Sequence, residues 1–563
     1  MNSPNHDHQD DANQQLWIPY IDQQHPDLPI IHVRPFQHNS QPLYCIQLND
    51  LEKLHNYLKR KRYRLLKTFH TNIRYACHRD DFDTKSYEYM LRTKAYSELV
   101  SLDQPNCQGK VRHFLNMMTN NMKLLLARLY DQRWITAFQY QQMDIQRSIV
   151  RLDHIFFLPD THQQEQLLFE PKTISTLSPL MPMNRYLYRL LAPIYYNQVA
   201  HLMTIDKGSD LIPRLELYQQ QGHLQSTTYL ITLHLKDIYT SIRHTQLLQS
   251  LRSFLDDFLN EETIEGMTIS AILELTKFLL NHQYFIYQRR IYQQTIGGGT
   301  GLYFIDLLID IYLFYWQQPL VLNQNQHEIY VRHFNNLFLT WNESKEKFHH
   351  CLTTMNYKHS FLQYDVNIQT NEIHYLDVDI HQCLQTFHTH VYHDWQYEPY
   401  ILPNLHQDPS FLTPVHTLRM ALIRAVLCCS QLQDFEDEQQ YIEYSFLFHR
   451  FSFDFIRKEI KGFFLDFNIF DLSIYHNQVT YDEIRRHVRQ WDRQKREEKR
   501  KHLDEGQKQC IWYIYSKLKG VALYDAQQNP IQFLPPSSQN DPSSLDGIKI
   551  EVIGLPKYPS DTI

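Results

Sequence analysis

The chain has 563 residues and a mass of 68.1 kDa, which is enough for several hydrophobic cores. Only 13 of its 563 residues are glycine, so it cannot supply the many positive-φ turns of an all-β sandwich or barrel. Lys and Arg number 55 and Asp and Glu 62, a formal net charge of −7, so nucleic-acid contacts must use local basic patches. We therefore predict an α+β fold that is predominantly helical.

The cysteine and hydropathy patterns predict the compartment. The 8 cysteines form no CxxC pair, which in a chain of this length is typical of reduced intracellular thiols. The most apolar run, residues 301–316, is shorter than the roughly 20 residues that span a bilayer, and it contains Asp306 and Asp310. We expect an intracellular protein, nuclear or cytoplasmic, with no membrane partner.

The N-terminal part divides into two predicted regions. Residues 1–45 are polar, proline-containing and without periodicity, which predicts a flexible segment. Residues 46–150 are predicted as a helical region, because the apolar spacing from Leu51 to Met143 is helical. This region holds a basic stretch that has two interpretations. It either contacts nucleic-acid phosphates or forms a charged helix face that is exposed to solvent. The candidate contacts are Lys59, Arg60, Lys61, Arg62 and Arg64.

The middle of the chain changes to short apolar or β-rich runs between turn signals, which predict strands. One helix interrupts them over residues 268–281, with Thr268 as its N-cap. A glycine cluster, Gly297 to Gly301, leads into a buried helix over residues 302–316. Strands are predicted at 151–159, 227–235, 371–380 and 385–392, and hairpins at 284–294 and 327–341, the second with Asn335 and Asn336 at its tip.

Helical spacing returns after Pro414. An acidic turn is predicted at 434–438 and a loose tail from about 530. The predicted helices lie at 415–431, 441–450, 453–464 and 485–501. The last helix is basic, and it too is either a nucleic-acid contact or a solvated face. Its candidate contacts are Arg485, Arg486 and Arg489.

Six stretches between residues 156 and 380 resemble, in collinear order, motifs of the reverse transcriptases of Penelope-like retroelements, of the type that lacks an endonuclease. The resemblance as a whole covers about residues 50–470. Residues 227–244 (TTYLITLHLKDIYTSIRH) resemble that family's first catalytic strand, "LVTxDVKDLYTNIPH", and residues 332–341 (RHFNNLFLTW) resemble "RYVDDIFxxW". The other similar stretches are 156–163 (FFLPDTHQ), 208–216 (GSDLIPRLE), 277–301 (KFLLNHQYFIYQRRIYQQTIGGGTG) and 373–380 (IHYLDVDI).

The resemblance implies a right-hand polymerase with a small antiparallel palm sheet. It implies fingers and palm at 151–400 and, at 401–470, a helical thumb-like segment similar to a helix-turn-helix. Composition adds a basic helical region at 471–529 and a flexible tail at 530–563. The stretch 511–520 is only superficially similar to the start of a GIY-YIG endonuclease, so we expect none.

The departures from the family motifs fall on the residues that would bind metal. Nucleotidyl transfer uses two divalent metal ions, and Mg²⁺ prefers anionic oxygen ligands. In this chain His234 stands where the resemblance implies the first aspartate, and Asn335 and Asn336 stand where it implies the aspartate pair. In the family an "AMGSP" loop lines the nucleotide cleft. The matching loop of this chain keeps glycines but has neither the serine nor the proline. The corresponding candidates here are Gly297, Gly299, Thr300 and Gly301.

We therefore predict a retroelement-derived reverse-transcriptase-domain protein that is catalytically inactive, holds no metal or cofactor, and acts by binding RNA, DNA or a protein. One alternative is an active RNA-directed DNA polymerase that uses Mg²⁺ at a relocated site, with Asp237 and the pair Asp377 and Asp379, two residues apart on one strand face. His388, His390 and His393 suggest a zinc site. The other explanation is that they lie close together by chance, since the chain has 32 histidines. A decaying element product without a selected role is a third alternative.

Overall fold

The computed structural model describes residues 56–67, 74–103, 107–145, 149–160, 168–175, 177–200, 203–259, 261–325, 327–358, 362–393, 414–448, 451–467, 477–505 and 549–550. The predicted flexible segment 1–45 and the endonuclease-like stretch 511–520 lie outside the described residues, as does nearly all of the predicted tail.

Helical residues outnumber strand residues in the described part of the chain. The helices are α1 Arg79–Thr93, α2 Cys107–Asp131, α3 Ala137–Met143, α4 Met181–Tyr195, α5 Ile212–Gln220, α6 Ile238–Ser241, α7 His244–Phe258, α8 Ile269–Asn281, α9 Tyr303–Asn323, α10 Lys345–Lys358, α11 Pro414–Cys428, α12 Leu432–Phe448, α13 Phe453–Asp466 and α14 Gln478–Glu505. Helix α8 begins where the sequence predicts, because Thr268 Oγ1 accepts a hydrogen bond of 3.1 Å from the Ala271 amide.

The strands form three larger sheets and several two-stranded ones. Their bounds are β1 Tyr63–Lys67, β2 Arg74–His78, β3 Tyr96–Ser101, β4 Ile149–Val150, β5 Asp153–Asp160, β6 Leu168–Ile174, β7 Tyr229–Lys236, β8 Thr263–Ile264, β9 Met267–Thr268, β10 Tyr284–Tyr287, β11 Arg290–Gln294, β12 Tyr330–His333, β13 Asn336–Trp341, β14 Gln363–Gln369, β15 Glu372–Tyr375, β16 Val378–Cys383, β17 Thr386–Val391 and β18 Lys549–Ile550.

The central sheet has the order β12-β13-β7-β14, and all its pairs are antiparallel. Its two faces differ because side chains alternate along each strand. Ile231, Leu233 and Leu235 of β7 are buried in one core with residues of α4, α7 and α9. His234 lies on the opposite face and is half-buried. The face that carries His234 is covered in part, because Leu230 of β7 and Phe338 of β13 on that face are buried in a second core.

A second sheet has five strands in the order β3-β11-β10-β5-β6. It is antiparallel except for the parallel pair β10 and β5. The β10–β11 hairpin confirms the prediction for residues 284–294. Phe157, Phe169 and Phe285 of this sheet form a separate aromatic core with α1.

The third sheet, β15-β16-β17, is antiparallel and packs against the C-terminal helices. Its inner residues Ile373, Val378 and Val391 share a core with α11, α12 and α13 and with the N-terminal half of α14. The predicted helices at 453–464 and 485–501 are confirmed within α13 and α14.

Three local predictions are wrong. Within the supposedly helical region, the basic stretch is a helical turn at 56–60 followed by β1, since hydrogen bonding to β2 outweighs local helical spacing. The strand predicted at 371–380 is two strands, because Leu376 turns the chain with a φ of 57°. The acidic turn at 434–438 lies inside α12, where Phe435 is buried and Asp434 occupies the first turn, which favours carboxylates.

The described residues therefore form an α+β fold that is predominantly helical and has a small antiparallel central sheet. The described residues include no helix that is both long and apolar enough to cross a membrane.

Candidate functional site

The three residues that stand where the resemblance implies aspartates come together at the end of the central sheet where β7 and β13 meet the hairpin turn. His234 of β7 and Asn336 of β13 are direct cross-strand neighbours. His234 Nδ1 and Asn336 Oδ1 are 2.7 Å apart, a hydrogen bond in which the imidazole nitrogen donates. The convergence of these side chains, on which the sequence interpretation depends, is thus present in the structure.

Asn335 completes the network from the hairpin turn. Its Nδ2 donates to the Leu235 carbonyl at 2.9 Å, and its Oδ1 accepts from Asn336 Nδ2 at 3.2 Å. Its backbone carbonyl also accepts from the Leu235 amide at 2.8 Å. The side-chain oxygens of both asparagines are therefore engaged by donors of this chain.

A buried arginine holds the hairpin turn in place. The predicted hairpin tip at Asn335 and Asn336 is shifted by one residue, because Asn336 already pairs with His333 and the turn consists of Phe334 and Asn335. Phe334 takes the positive φ of this turn, 56°. Arg332, with 1% of its surface exposed, donates to the Phe334 carbonyl at 2.9 Å and to Asp310 Oδ1 on α9 at 2.6 Å. Its second terminal nitrogen donates to the Tyr195 hydroxyl at 3.0 Å. The hydrogen bond from the guanidinium to the Phe334 carbonyl holds the turn, so Phe334 keeps a positive φ that side chains of its type disfavour.

Asp237, a candidate ligand of the relocated metal site, is paired with an arginine. It follows β7 in the left-handed conformation, with a φ of 50°. Arg92 at the end of α1 donates to its two oxygens at 2.5 and 3.2 Å, and only 12% of the Asp237 side chain is exposed. The hydrogen bond to this carboxylate raises the pKa of Arg92. The structure thus supplies Asp237 with a fixed cation from another element.

Two more carboxylates near the site are also engaged. Asp365 of β14, opposite His234 in register, pairs with Lys236 at 2.7 Å. Asp306 accepts from the Tyr239 hydroxyl at 2.7 Å, and burial raises its pKa to about 6.

The predicted placement of Asp377 and Asp379 on one strand face is wrong. The turn at Leu376 puts Asp377 between β15 and β16, where its Oδ1 accepts from the Gly208 amide at 3.0 Å and Arg424 lies 3.4 Å from its Oδ2. Asp379 lies on β16. A metal pair held by these two residues in the predicted geometry is therefore not formed.

The backbone of the glycine loop is hydrogen-bonded to neighbouring segments of the chain. Gly297 has a φ of 71° and donates to the Ile242 carbonyl, and a Cβ added there would lie 1.9 Å from the Tyr239 oxygen. Gly299 donates to Gln283 Oε1 at 2.8 Å, and the buried Thr300 hydroxyl donates to the Pro171 carbonyl at 2.7 Å. Gly301 also has a positive φ, 86°. The amides of Gly297 and Gly299 therefore point at protein acceptors.

Two of the three candidate arginines on α14 bind the protein itself. Arg485 is buried and donates to Glu216 at 2.7 Å, and Arg489 contacts both oxygens of Glu216 at 2.7 and 2.9 Å. Burial raises the pKa of Glu216, but the two guanidinium groups outweigh it and hold the pKa below its usual value. Arg486 is exposed on the outer side of the helix, as is Arg493 two turns further on.

The N-terminal basic stretch is engaged in part. Arg62 pairs with Asp80 at 3.0 Å, and Arg64 lies 3.6 Å from Asp83. Lys59, Arg60 and Lys61 are exposed, and Arg60 also donates through Nε to a backbone carbonyl at 3.2 Å.

The three histidines of the zinc hypothesis do not converge. His393 Nε2 lies 2.7 Å from Glu438, His388 Nε2 lies 3.3 Å from the Thr386 hydroxyl, and His390 faces a different histidine. The described residues hold no group of three or more His, Cys, Asp or Glu that could bind a metal ion.

Sequence reasoning missed Arg92, Arg332 and Glu216, which shape the site and its surroundings. Each finds its partner on an element distant in the chain or on the inner side of a helix, so no local spacing identified them.

No protein-family model matches the sequence, and no curated protein matches it. The structure is similar to telomerase from Candida albicans in complex with a fragment of telomeric RNA, with a TM-score of 0.48, 10% identity, and 78% of this chain and 72% of that one covered. It is also similar to apo telomerase from Candida tropicalis, with a TM-score of 0.41, 10% identity and coverage of 79% and 73%. The RNA-dependent RNA polymerase of a human picobirnavirus gives a TM-score of 0.41, 9% identity and coverage of 75% and 81%.

Proposed function

We propose that this chain is a reverse-transcriptase-domain protein derived from a Penelope-like retroelement, that it has lost nucleotidyl transfer, and that it acts by binding nucleic acid. The observation that carries the proposal is the closed hydrogen-bond network of His234, Asn335 and Asn336 at the position of the expected metal ligands.

The chemistry of this network disfavours magnesium. An imidazole and two carboxamides supply no negative charge to hold two divalent ions beside a triphosphate, and Mg²⁺ prefers hard anionic oxygen. The Asn336 oxygen already accepts from His234, and the Asn335 oxygen from Asn336. A metal ion would have to break these bonds to reach either oxygen.

The pairing of the neighbouring carboxylates supports the same conclusion. Arg92 pairs with Asp237, Arg332 with Asp310 and Lys236 with Asp365. A cationic side chain of the protein thus lies against each of these three carboxylates, which reduces their attraction for divalent cations. This also weakens the alternative of an active polymerase with a relocated metal site.

The proposed division follows the sequence motifs. Residues 46–150 form the N-terminal region, 151–400 fingers and palm, 401–470 the thumb-like segment similar to a helix-turn-helix, and 471–529 the basic C-terminal region. These boundaries rest on the motif order and composition.

The proposed nucleic-acid contacts are the exposed basic residues. Lys59, Arg60 and Lys61 at the N-terminal turn and Arg486 and Arg493 on the outer side of α14 present positive charge to solvent. Arg485 and Arg489 instead attach α14 to the protein through Glu216. The binding surface is therefore smaller than the sequence suggested.

Primer extension on RNA and DNA templates, with Mg²⁺ and with Mn²⁺, tests the loss of activity. We expect no incorporation by the wild-type chain. Incorporation by the wild type that is lost in Asp237→Asn would contradict the proposal and support the relocated metal site. The variant H234D/N335D/N336D, in which the three carboxylates return, tests whether ligand loss alone accounts for the inactivity.

Filter binding to single-stranded RNA and to duplex DNA over a series of salt concentrations tests the nucleic-acid contacts. We expect affinity to fall as salt rises, and Arg486→Gln to reduce the slope of log affinity against log salt by about 0.7–0.9 per lost phosphate contact. The matched control is Arg485→Gln on the same helix turn, which lowers stability instead because its partner is Glu216. Binding that is absent, or that does not depend on salt, contradicts this part of the proposal.

A further inference from the structure

The outer face of the third sheet carries alternating histidines and carboxylates. On each of its three strands the inward residues are buried, and all the outward residues except Thr386 are titratable. The register forms two cross-strand rows on this face. They are His374–Asp379–His390 and Glu372–His381–His388.

Two of these histidines, one from each row, meet across a diagonal of the sheet. His381 on β16 lies directly opposite His388, yet its ring contacts His390, the diagonal neighbour, which long side chains reach. The two Nε2 atoms are 2.9 Å apart, and the rings are stacked with centroids 4.9 Å apart. The rings are 30% and 37% exposed, so solvent reaches both.

Each of the two rings has a carboxylate at its other nitrogen. Glu372 Oε2 lies 3.7 Å from His381 Nδ1, and Asp379 Oδ2 lies 3.8 Å from His390 Nδ1. The 2.9 Å contact is a hydrogen bond, so one Nε2 donates to the other in the metal-free chain. When an ion binds, the donor ring carries its proton on Nδ1, the side of its carboxylate, and both Nε2 lone pairs become ligands. A carboxylate on the Nδ1 side of a histidine is the arrangement that surrounds many metal-binding histidines.

We propose that His381 and His390 form a two-histidine chelating site for a divalent transition metal of tetragonal or octahedral preference, the class of Ni²⁺ and Cu²⁺. At a metal–nitrogen distance of about 2.0–2.1 Å, two nitrogens 2.9 Å apart subtend an angle of about 90° at the metal. A tetrahedral ion such as Zn²⁺ requires about 3.4 Å between the nitrogens. The observed separation therefore selects ions whose adjacent ligands lie at right angles.

The site uses two protein ligands, and water completes the coordination of the bound ion. It does not involve the zinc candidates His388 and His393, since His388 Nε2 contacts Thr386 and His393 Nε2 contacts Glu438. Because one ligand comes from each strand of the β16–β17 hairpin, the bound ion joins the two strands and stabilises the folded chain by mass action.

Titration calorimetry of the full chain with NiCl₂ or CuCl₂ alone, at pH 7.5, tests the proposal. The chain has 32 histidines, so the measurement is the difference from the wild type. We expect His381→Gln and His390→Gln each to lose the same one equivalent, and the double variant to lose no more than either. His388→Gln, directly opposite His381 in register, is the matched control and keeps that equivalent.

Two further measurements separate metal binding from a fold defect. Circular dichroism checks each variant, and His381→Asn offers a second substitution if glutamine prevents folding. Glu372→Gln and Asp379→Asn keep both ligands, and we expect them to weaken binding by about 10- to 100-fold without changing the stoichiometry. Equal stoichiometry in the wild type, His381→Gln and His390→Gln would show that the contact is only a hydrogen bond between neutral imidazoles and would overturn the proposal. Loss of the equivalent in His388→Gln would also overturn it.

Discussion

The substitution Arg332→Met tests what holds the β12–β13 hairpin in place. The wild-type guanidinium is buried and donates hydrogen bonds to Asp310, the Phe334 carbonyl and the Tyr195 hydroxyl. Methionine fills much of the same volume but donates no hydrogen bond. Three acceptors on separate elements therefore lose a donor at once.

The expected cost follows from the burial of the pair. The side chains of Arg332 and Asp310 are 1% and 21% exposed. Removing one partner of a buried ion pair costs about 3–5 kcal/mol, because the remaining charge is left uncompensated. The partial exposure of Asp310 places this case at the lower end, about 3 kcal/mol.

The double variant Arg332→Met, Asp310→Leu is the control. It removes both charges, and replacing a whole buried pair by apolar side chains is often neutral. We expect it to recover at least half of the stability that the single variant loses.

Urea unfolding measures the stability of both variants, and amide hydrogen exchange at Asn335 and Asn336 reports on the turn. We expect faster exchange there in Arg332→Met than in the wild type. If the single variant loses less than about 1 kcal/mol, or the double variant is as unstable as the single, the ion pair does not hold the hairpin and the reasoning fails.

Three further variants have defined outcomes. Burial raises the pKa of Asp153 to about 7, so the folded state favours the protonated carboxyl and the wild type loses stability as pH rises from about 4 to 7. In thermal unfolding Asp153→Asn should be more stable than the wild type at about pH 8 and should lose this advantage below about pH 4. Gly297→Ala should destabilise by well over the about 1–2 kcal/mol of left-handed strain, whereas Gly222→Ala, with a φ of 75° and open space around it, should cost only that strain. Glu216→Gln should expose α14 to limited proteolysis, while Asp482→Asn, which removes an exposed carboxylate 3.7 Å from the same helix's arginine, should not.

The sequence predicted features that depend on local periodicity or on motif order. Thr268 as the start of α8 and the hairpin at 284–294 follow from patterns within a few residues, and both are confirmed. The motif alignment placed His234 beside Asn336, two residues 102 positions apart, which no periodicity identifies. The catalytic loss and the nucleic-acid contacts stay predictions.

What the sequence could not predict depends on contacts between distant elements. The ion pairs of Arg92 with Asp237 and of Arg485 with Glu216 join residues 145 and 269 positions apart. Charged residues on a helix give the same local pattern whether they face solvent or another element, so Arg485 and Arg486 were indistinguishable. The turn at Leu376 was missed because a leucine with positive φ has no sequence signal.

The attachment of α14 has a consequence for the order in which the chain folds during synthesis. Lys207 pairs with Asp492, Asp210 with Arg496 and Glu216 with Arg485, all close to 270–290 residues later. The core beneath these pairs also contains Tyr481 of α14. The ribosome must therefore synthesise almost the whole described chain before α14 can pack on this core. Until then Asp210 and Glu216 lack their arginine partners and the apolar residues of the core are uncovered, a state that chaperones recognise.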